Sequence, residues 1–500
     1  MRKTASIMIL LAAAVAGCCD CKDKAVCPGA KTQGAKADAG AAVREDFSDA
    51  GVLATKMGGK PKPVTKFELY GRAGFDRVNV FEKPDMESTI LGYLRKGGRV
   101  RLGNPMYASE GCPGGWFVLP EGGFVCQGRG MLVGLKPRGM RSAPPDARTD
   151  EIDPYRHGFI RKDWTPAYKR MPKQEEMWSP PQEETDVADG GTLAGAIIPH
   201  TLDGADGGVD YFKYTSRKFK AVRQLLTRGF WISAANRVFD ETTHRFYYET
   251  VRGDFVPAEA VHLVQPPEFQ GYAVLGDSPL PAAVVTDKHA SFFTERGGRF
   301  AGLGPAARLS VFRVFETRDQ KGTKFHRIEG NRWLKGTQVE LFDVREPPEG
   351  ASDKEKWILV DLTRQTLEAY DGATPAYVTL ISSGINGDKP EETLTPKGKY
   401  HIIFKHVSAE MSGTVGDDET YQVEDVPWTQ YVNLNIALHG AFWHSGYGRP
   451  RSHGCVNLSP ADARWLFHWT GPTIPKGWHG VAATARNPGT LVIITGTTPK

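Results

Sequence analysis

Hydrophobic and polar positions alternate in short runs along most of this chain, and turn residues keep interrupting them. Val78-Asn79-Val80-Phe81 alternates with a period of two. Leu91-Gly92-Tyr93-Leu94 and Arg99-Val100-Arg101-Leu102 are two further short strands, broken by Lys96-Gly97-Gly98. Trp116 to Leu119 and Gly123 to Cys126 close a hairpin across a Gly turn, which makes 66–133 a small β module. Residues 134–195 are Pro-rich and charged, as in Trp178-Ser179-Pro180-Pro181, and read as a linker. Strands return in 196–270, where Phe246 to Thr250 and Arg252 to Val256 predict a hairpin. In 271–350, Phe312 to Glu316 and Phe325 to Ile328 predict another, which Trp333 and Val339 to Phe342 would close.

From 355 to 496 the pattern predicts one further β-rich domain. Trp357 to Leu362, Thr366 to Tyr370, Tyr377 to Ile381, Tyr400 to Phe404 and Leu491 to Ile494 read as its strands. One helix stands out. Ser459 suits its N-cap, Pro460 its first position and Asp462 its first turn. Trp465, Leu466 and Trp469 supply an apolar face, and Gly471 ends it. The expected fold class is mainly β and multidomain, with few helices.

The first residues follow a different logic. Arg2 and Lys3 precede a short apolar run, Ile7 to Ala16, too short to span a bilayer. It ends in Val15-Ala16-Gly17-Cys18, which resembles the bacterial lipobox. The expectation is a signal peptide over 1–17, lipidation at Cys18 and a flexible tether over 18–65, spanning roughly 30–35 Å if it behaves as a coil. The competing reading is a plain signal peptide. Asp20 does not immediately follow Cys18, which by resemblance to Gram-negative sorting rules points to a periplasmic lipoprotein anchored in the outer membrane.

The 500 residues are enough for about three to four domains. A net charge of +5 in a mixed background, with no Lys/Arg run interleaved with aromatics, excludes a nucleic-acid footprint. Cys112 and Cys126 flank a Gly- and Trp-containing segment and are expected to pair in an oxidising compartment. The pairing of Cys19, Cys21 and Cys27 cannot be read. Cys455 has no evident partner, and a lone thiol in such a compartment is a candidate nucleophile.

The chemistry gathers around that thiol. His439-Gly440 precedes Ser452-His453-Gly454-Cys455-Val456-Asn457. A thiol needs a base, the base needs a group that fixes its tautomer, and Gly454 lets backbone N–H groups approach a developing oxyanion. This signature resembles that of the YkuD-type L,D-transpeptidase catalytic domain, supported by Ser383-Gly384, Thr395-Pro396-Lys397-Gly398 and Ala461-Asp462-Ala463.

The resemblance implies that Cys455 is acylated, that His439 moves the proton and that the Gly440 carbonyl orients its ring. Ser452 and His453 would shape the pocket, with His453 as second candidate base, and amides near Gly454 and Cys455 would form the oxyanion hole. The partners implied are peptidoglycan stem peptides. The family cuts after the third stem residue, releases D-alanine and makes 3→3 cross-links, while some members attach lipoproteins to the wall or let water finish the reaction. No cofactor and no metal are implied. Tyr421, in the stretch where such domains carry a flap, Trp443, Arg449, Arg451 and Asn457 are candidate substrate contacts.

The 66–133 module resembles a bacterial SH3-like barrel, and 196–270 and 271–350 fit two more, either as a wall-binding array or as spacers. Three rival functions fit these residues less well. A zinc site from His439, His444, His453 and Cys455 lacks a second Cys. A wall peptidase of the NlpC/P60 type has its Cys before its His, the reverse of this order. A lipid-anchored scaffold with a silent catalytic domain sits poorly with an intact His439/Cys455 pair.

Overall fold

The computed structural model describes residues 66–104, 108–136, 144–179, 219–351, 353–387, 390–415 and 419–500. The proposed signal peptide, Cys18 and the tether lie outside the described residues. Among the described residues no helix is long and apolar enough to cross a membrane.

The C-terminal segment is built from two sheets that share one core. In the first, Lys356–Asp361 pairs in parallel with Leu491–Thr495, so the two ends of the segment are tied together. Their near-continuous apolar runs are buried on both faces, as parallel strands require. Ile358, Val360, Val492 and Ile494 face the main core, while Trp357, Leu359 and Ile493 pack on the other side with Tyr370. Thr366–Asp371, Thr374–Leu380 and Tyr272–Ala273 extend one edge, and Gly398–His401 the other. The second sheet contains the long hairpin Phe404–Val415 and Glu419–Tyr431, then Ala437–Gly440 and Val456–Leu458. Trp428, Leu438 and Val456 bring its apolar face to the same core.

The helix Pro460–Trp469 forms where expected. Ser459 Oγ accepts from the Asp462 N–H at 3.0 Å, a cap that stabilises by about 1 kcal/mol. Ala463, Leu466 and Phe467 are its buried face, and Trp465 stacks on Tyr377 at 4.2 Å. Lys405 closes the other end. Its buried Nζ donates to the carbonyl oxygens of Phe467 and Thr470, supplying donors at a helix C-terminus whose last carbonyls lack intrahelical partners.

The first module follows the predicted strands. Cys112 and Cys126 form a disulfide beside Trp116 and Phe81. The module docks on the C-terminal segment by sheet pairing, Gly92 opposite Val481 and Tyr93 opposite Gly480. Glycine is required on both sides. A Cβ on Gly480 would fall 2.2 Å from the Tyr93 ring, and one on Gly92 2.2 Å from the Gly480 carbonyl oxygen. Trp478 inserts into the module's core.

Three readings change. The 134–195 stretch is not only a linker, because Arg156–Ile160 and Thr165–Tyr168 are strands that join Trp231–Asp240 and Val222–Leu226 in the middle module. Pro166 is tolerated close to an end of its short strand. Tyr400 to Phe404 is not one strand. The chain passes there between the two sheets, burying Ile402 and leaving Ile403 40% exposed. Phe312 to Glu316 is likewise split, with Val311–Arg313 pairing with Ala282–Val285 and Glu316–Gln320 pairing with Thr323–Ile328 in another sheet.

The third module also merges with the C-terminal segment. Val284 and Phe342 share a core with Val378, Leu380 and Tyr447. The molecule is mainly β and multidomain, with its modules fused through shared strands and cores.

Candidate active site

Parallel pairing of Ala437–Gly440 with Val456–Leu458 builds the site. Its register sets Leu438 opposite Val456 and His439 opposite Asn457, which places Cys455 at the entry of the second strand beside the His439 strand. All four residues of the His439 strand are buried. Burial pushes His439 down to about 4, so the ring is neutral near pH 7. Its Nδ1–H donates to the Gly440 carbonyl oxygen at 3.2 Å, which leaves Nε2 as an unprotonated base. Burial pushes the Cys455 thiol up, and a hydrogen bond from the Ala437 N–H acts against it. At rest the site therefore holds a neutral thiol and a neutral imidazole.

The turn that presents the thiol is pinned from both sides. Ser452 Oγ donates to the Cys455 carbonyl and accepts from the Gly454 N–H at 3.1 Å. Ser383 O accepts from the N–H groups of Arg451 and Ser452, and Ser452 O accepts from Ile385 N–H. Thr395 Oγ1 donates to Gly454 O and accepts from Gly384 N–H, both at 2.8 Å. Gly454 has φ +121°, a backbone conformation that L side chains rarely adopt. A Cβ on Gly384 would lie 2.0 Å from the Thr393 carbonyl oxygen. These contacts give Ser383-Gly384 and Thr395 a physical role as the clamp on the Cys455 turn. They also occupy the Gly454 N–H, one of the amides expected at an oxyanion.

The other expected residues fall in distinct places. His453 is exposed and stacks on Tyr421 at 5.8 Å with an interplanar angle of 11°. Trp443 is half-buried, 5.8 Å from the His439 ring. Arg449 and Arg451 are exposed and bear electrostatically on Arg308 of the third module. Arg308 itself donates to the carbonyl oxygens of Ser445 and Tyr447, bracing the loop that leads to them. Asn457 is buried, and its amide sits 3.0 Å from His444 Nε2, where it holds that ring. Among the described residues, no three His, Cys, Asp or Glu side chains converge as a metal site.

Tyr431 was not anticipated. Burial, then the charge of Cys455, pushes its hydroxyl up to about 12, and Tyr421 also feels Cys455. The two tyrosines stand near opposite ends of one long strand, Tyr421 stacked on His453 of the Cys455 turn and Tyr431 paired with Ala437, whose strand runs beside that turn. Strand alternation could not single out Tyr431, because nothing in the sequence marks which part of that strand passes the site.

Residues 355–494 match the model of the YkuD family, the L,D-transpeptidase catalytic domain. A Bacillus subtilis (strain 168) protein named as an L,D-transpeptidase, YciB, is 26% identical over 151 residues, spanning 27% of this chain and 68% of the relative. The catalytic domain of the Enterococcus faecium L,D-transpeptidase is 25% identical, with 28% of this chain and 98% of that one covered and a TM-score of 0.22. The Mycobacterium smegmatis L,D-transpeptidase is 20% identical, with 36% and 79% covered and a TM-score of 0.23. With the family match falling on the strands and the turn that carry His439 and Cys455, the C-terminal segment of this chain is an L,D-transpeptidase catalytic domain.

Proposed function

We propose that the chain is a peptidoglycan L,D-transpeptidase that works through a Cys455 acyl-enzyme. The observation that carries this reading is the tautomer of His439. Its Nδ1–H is committed to Gly440 O, which leaves Nε2 as the proton acceptor, and its strand pairs with the one that Cys455 leads into. The Cys455 thiol gives its proton to Nε2 as sulfur attacks the carbonyl carbon of the third stem residue. The tetrahedral intermediate collapses, the C–N bond breaks, and the imidazolium protonates the departing D-alanine. The side-chain amine of a second stem then attacks the thioester, His439 takes its proton, and Cys455 regains it. The product is a 3→3 cross-link. With water in place of the amine the same steps trim the stem, and with a protein Lys they attach a protein to the wall.

Neither group is charged at rest, so proton transfer and attack occur together in the substrate complex. An outer-membrane lipoprotein anchored through Cys18 would restrict this chemistry to nearby wall. The test is product analysis with purified stem tetrapeptides. Wild type should yield 3→3 dimers and free D-alanine, and Cys455→Ala neither. Dimers formed by Cys455→Ala would remove Cys455 from the reaction.

A further inference from the structure

The strand Glu419–Tyr431 belongs to the catalytic segment, yet residues outside that segment hold it. It contains two non-glycine residues with left-handed backbone, Asp425 at φ +52° and Trp428 at φ +57°. For a bulky residue such as Trp this is an outlier, and such conformations persist only when the surroundings over-determine them. Here the surroundings come from elsewhere in the chain. Arg95 of the first module donates to both carboxylate oxygens of Asp425. Ser233 of the middle module donates to the same carboxylate, as does Ser408 from the neighbouring strand. His157 Nε2 lies 3.2 Å from the Asp425 carbonyl oxygen, with Asp153 bonded to its Nδ1. Glu424 accepts from the Ser233 N–H at 3.0 Å, and Trp428 Nε1 donates to Ile152 O at 2.7 Å.

We propose that the first and middle β modules are working parts of the active site, with Arg95 and Ser233 as positioning residues that act through Asp425 to hold Tyr421 and Tyr431 against Cys455. The inference rests on the reading of Cys455 given above. Tyr421 is four residues from Asp425 on one strand, about 13 Å of extended chain, and stacks on His453 beside the thiol. Trp231 pairs with Val423 between them, so the middle module grips the strand on the thiol side of Asp425 as well. It also reaches the loop after His439, where the His157 ring stacks on Phe442 at 3.6 Å. The Arg95 side chain is 20% exposed and that of Asp425 only 5%. Removing the arginine therefore leaves a buried carboxylate with two hydroxyl donors but no ion-pair partner, at a position where the backbone has no intrinsic reason to stay.

A positioning role has a signature that a stability role lacks. Releasing the strand uncovers the thiol while spoiling the geometry for transfer, so the two readouts move in opposite directions. The experiment uses the full chain with Arg95→Ala, Ser233→Ala and Arg95→Lys. It measures kcat and KM on a stem tetrapeptide, the rate of Cys455 alkylation by iodoacetamide, and cooperative thermal unfolding. In folded Arg95→Ala, kcat/KM should fall about ten- to a hundredfold, as for a small misplacement of catalytic groups. Alkylation should accelerate, and Arg95→Lys should restore part of both. Ser233→Ala removes one donor and leaves the ion pair, so it should show the same pattern more weakly in a chain whose folding is less at risk. Wild-type turnover and alkylation in the folded variants would overturn the proposal. So would a fall in turnover that merely follows the folded fraction. Alkylation needs no stem peptide, so a wild-type chain inert toward tetrapeptides would count against the proposed function and leave this test standing.

Discussion

His439 Nδ1 lies 3.2 Å from the carbonyl oxygen of Gly440, the next residue in its own strand. A buried neutral ring held in this way has one possible acceptor atom, Nε2, and it belongs to the strand beside Cys455. His439→Gln keeps a polar side chain but removes the base. Its kcat should fall by about 10²–10⁴, the usual contribution of a positioned general base, with a much smaller change in KM. Steady-state kinetics on a stem tetrapeptide checks this.

The same ring sets a pH dependence. Burial lowers the folded pKa of His439 to about 4, against about 6.5 in an unfolded chain. The unfolded state binds more protons between these values, so the stability due to neutral His439 is complete above about 6.5 and is lost as pH falls toward 4. The stability difference between wild type and His439→Gln should therefore change in that window, in the direction of wild type losing more, by up to about 1.4 kcal/mol per pH unit. Denaturant unfolding of both proteins from pH 7 to pH 4 measures it. The kcat/KM profile should lose its acid limb near pH 4, well below the titration of a free imidazole.

Thr395 joins the two glycines that shape the turn, donating to Gly454 O and accepting from Gly384 N–H. Thr395→Val keeps the shape and removes both bonds, leaving two buried backbone groups unpaired at about 1–3 kcal/mol each. Both thermal stability and kcat should drop. Gly384→Ala should be worse, because the 2.0 Å approach to Thr393 O is a backbone contact that no rotamer relieves. Thermal melts and turnover of the two variants rank them.

Asn457→Ala separates two roles for that residue. A group that holds His444 should affect kcat and leave KM for the stem peptide nearly unchanged. A direct substrate contact would raise KM.

The disulfide Cys112–Cys126 closes a loop of sequence separation 14 in the first module. Replacing both cysteines by serine should cost about 3 kcal/mol. Calorimetry of the double variant, beside wild type with and without reductant, tests the figure.

Much of the catalytic segment was legible because its signals are local. Ser459, Pro460 and Asp462 mark the helix start through side-chain chemistry that works within a few residues. The run Ser452 to Asn457 carries its glycine and serine for reasons that the turn makes plain. What escaped the sequence depends on long-range contact. Asn457 sits in the same motif, yet its partner is His444, thirteen positions away, and burial makes it a support for that ring. Arg95 looks like any arginine just past the end of a short strand until the fold delivers Asp425 to it, 330 positions later. The strands at 156–168 were hidden by proline and charge, because their pairing partners lie beyond Val222. The corner at Ile402–Ile403 was hidden by the opposite problem, an apolar run that continues across a change of sheet.

In the proposed mechanism Cys455 carries the donor stem as a thioester. Intact-protein mass spectrometry after brief mixing with a stem tetrapeptide, and no acceptor, tests it directly. The account predicts a single adduct of the tripeptide acyl mass, mapped to the peptide containing Cys455, labile to hydroxylamine and absent from Cys455→Ala. An adduct on another residue, or release of D-alanine by Cys455→Ala at the wild-type rate, would contradict it.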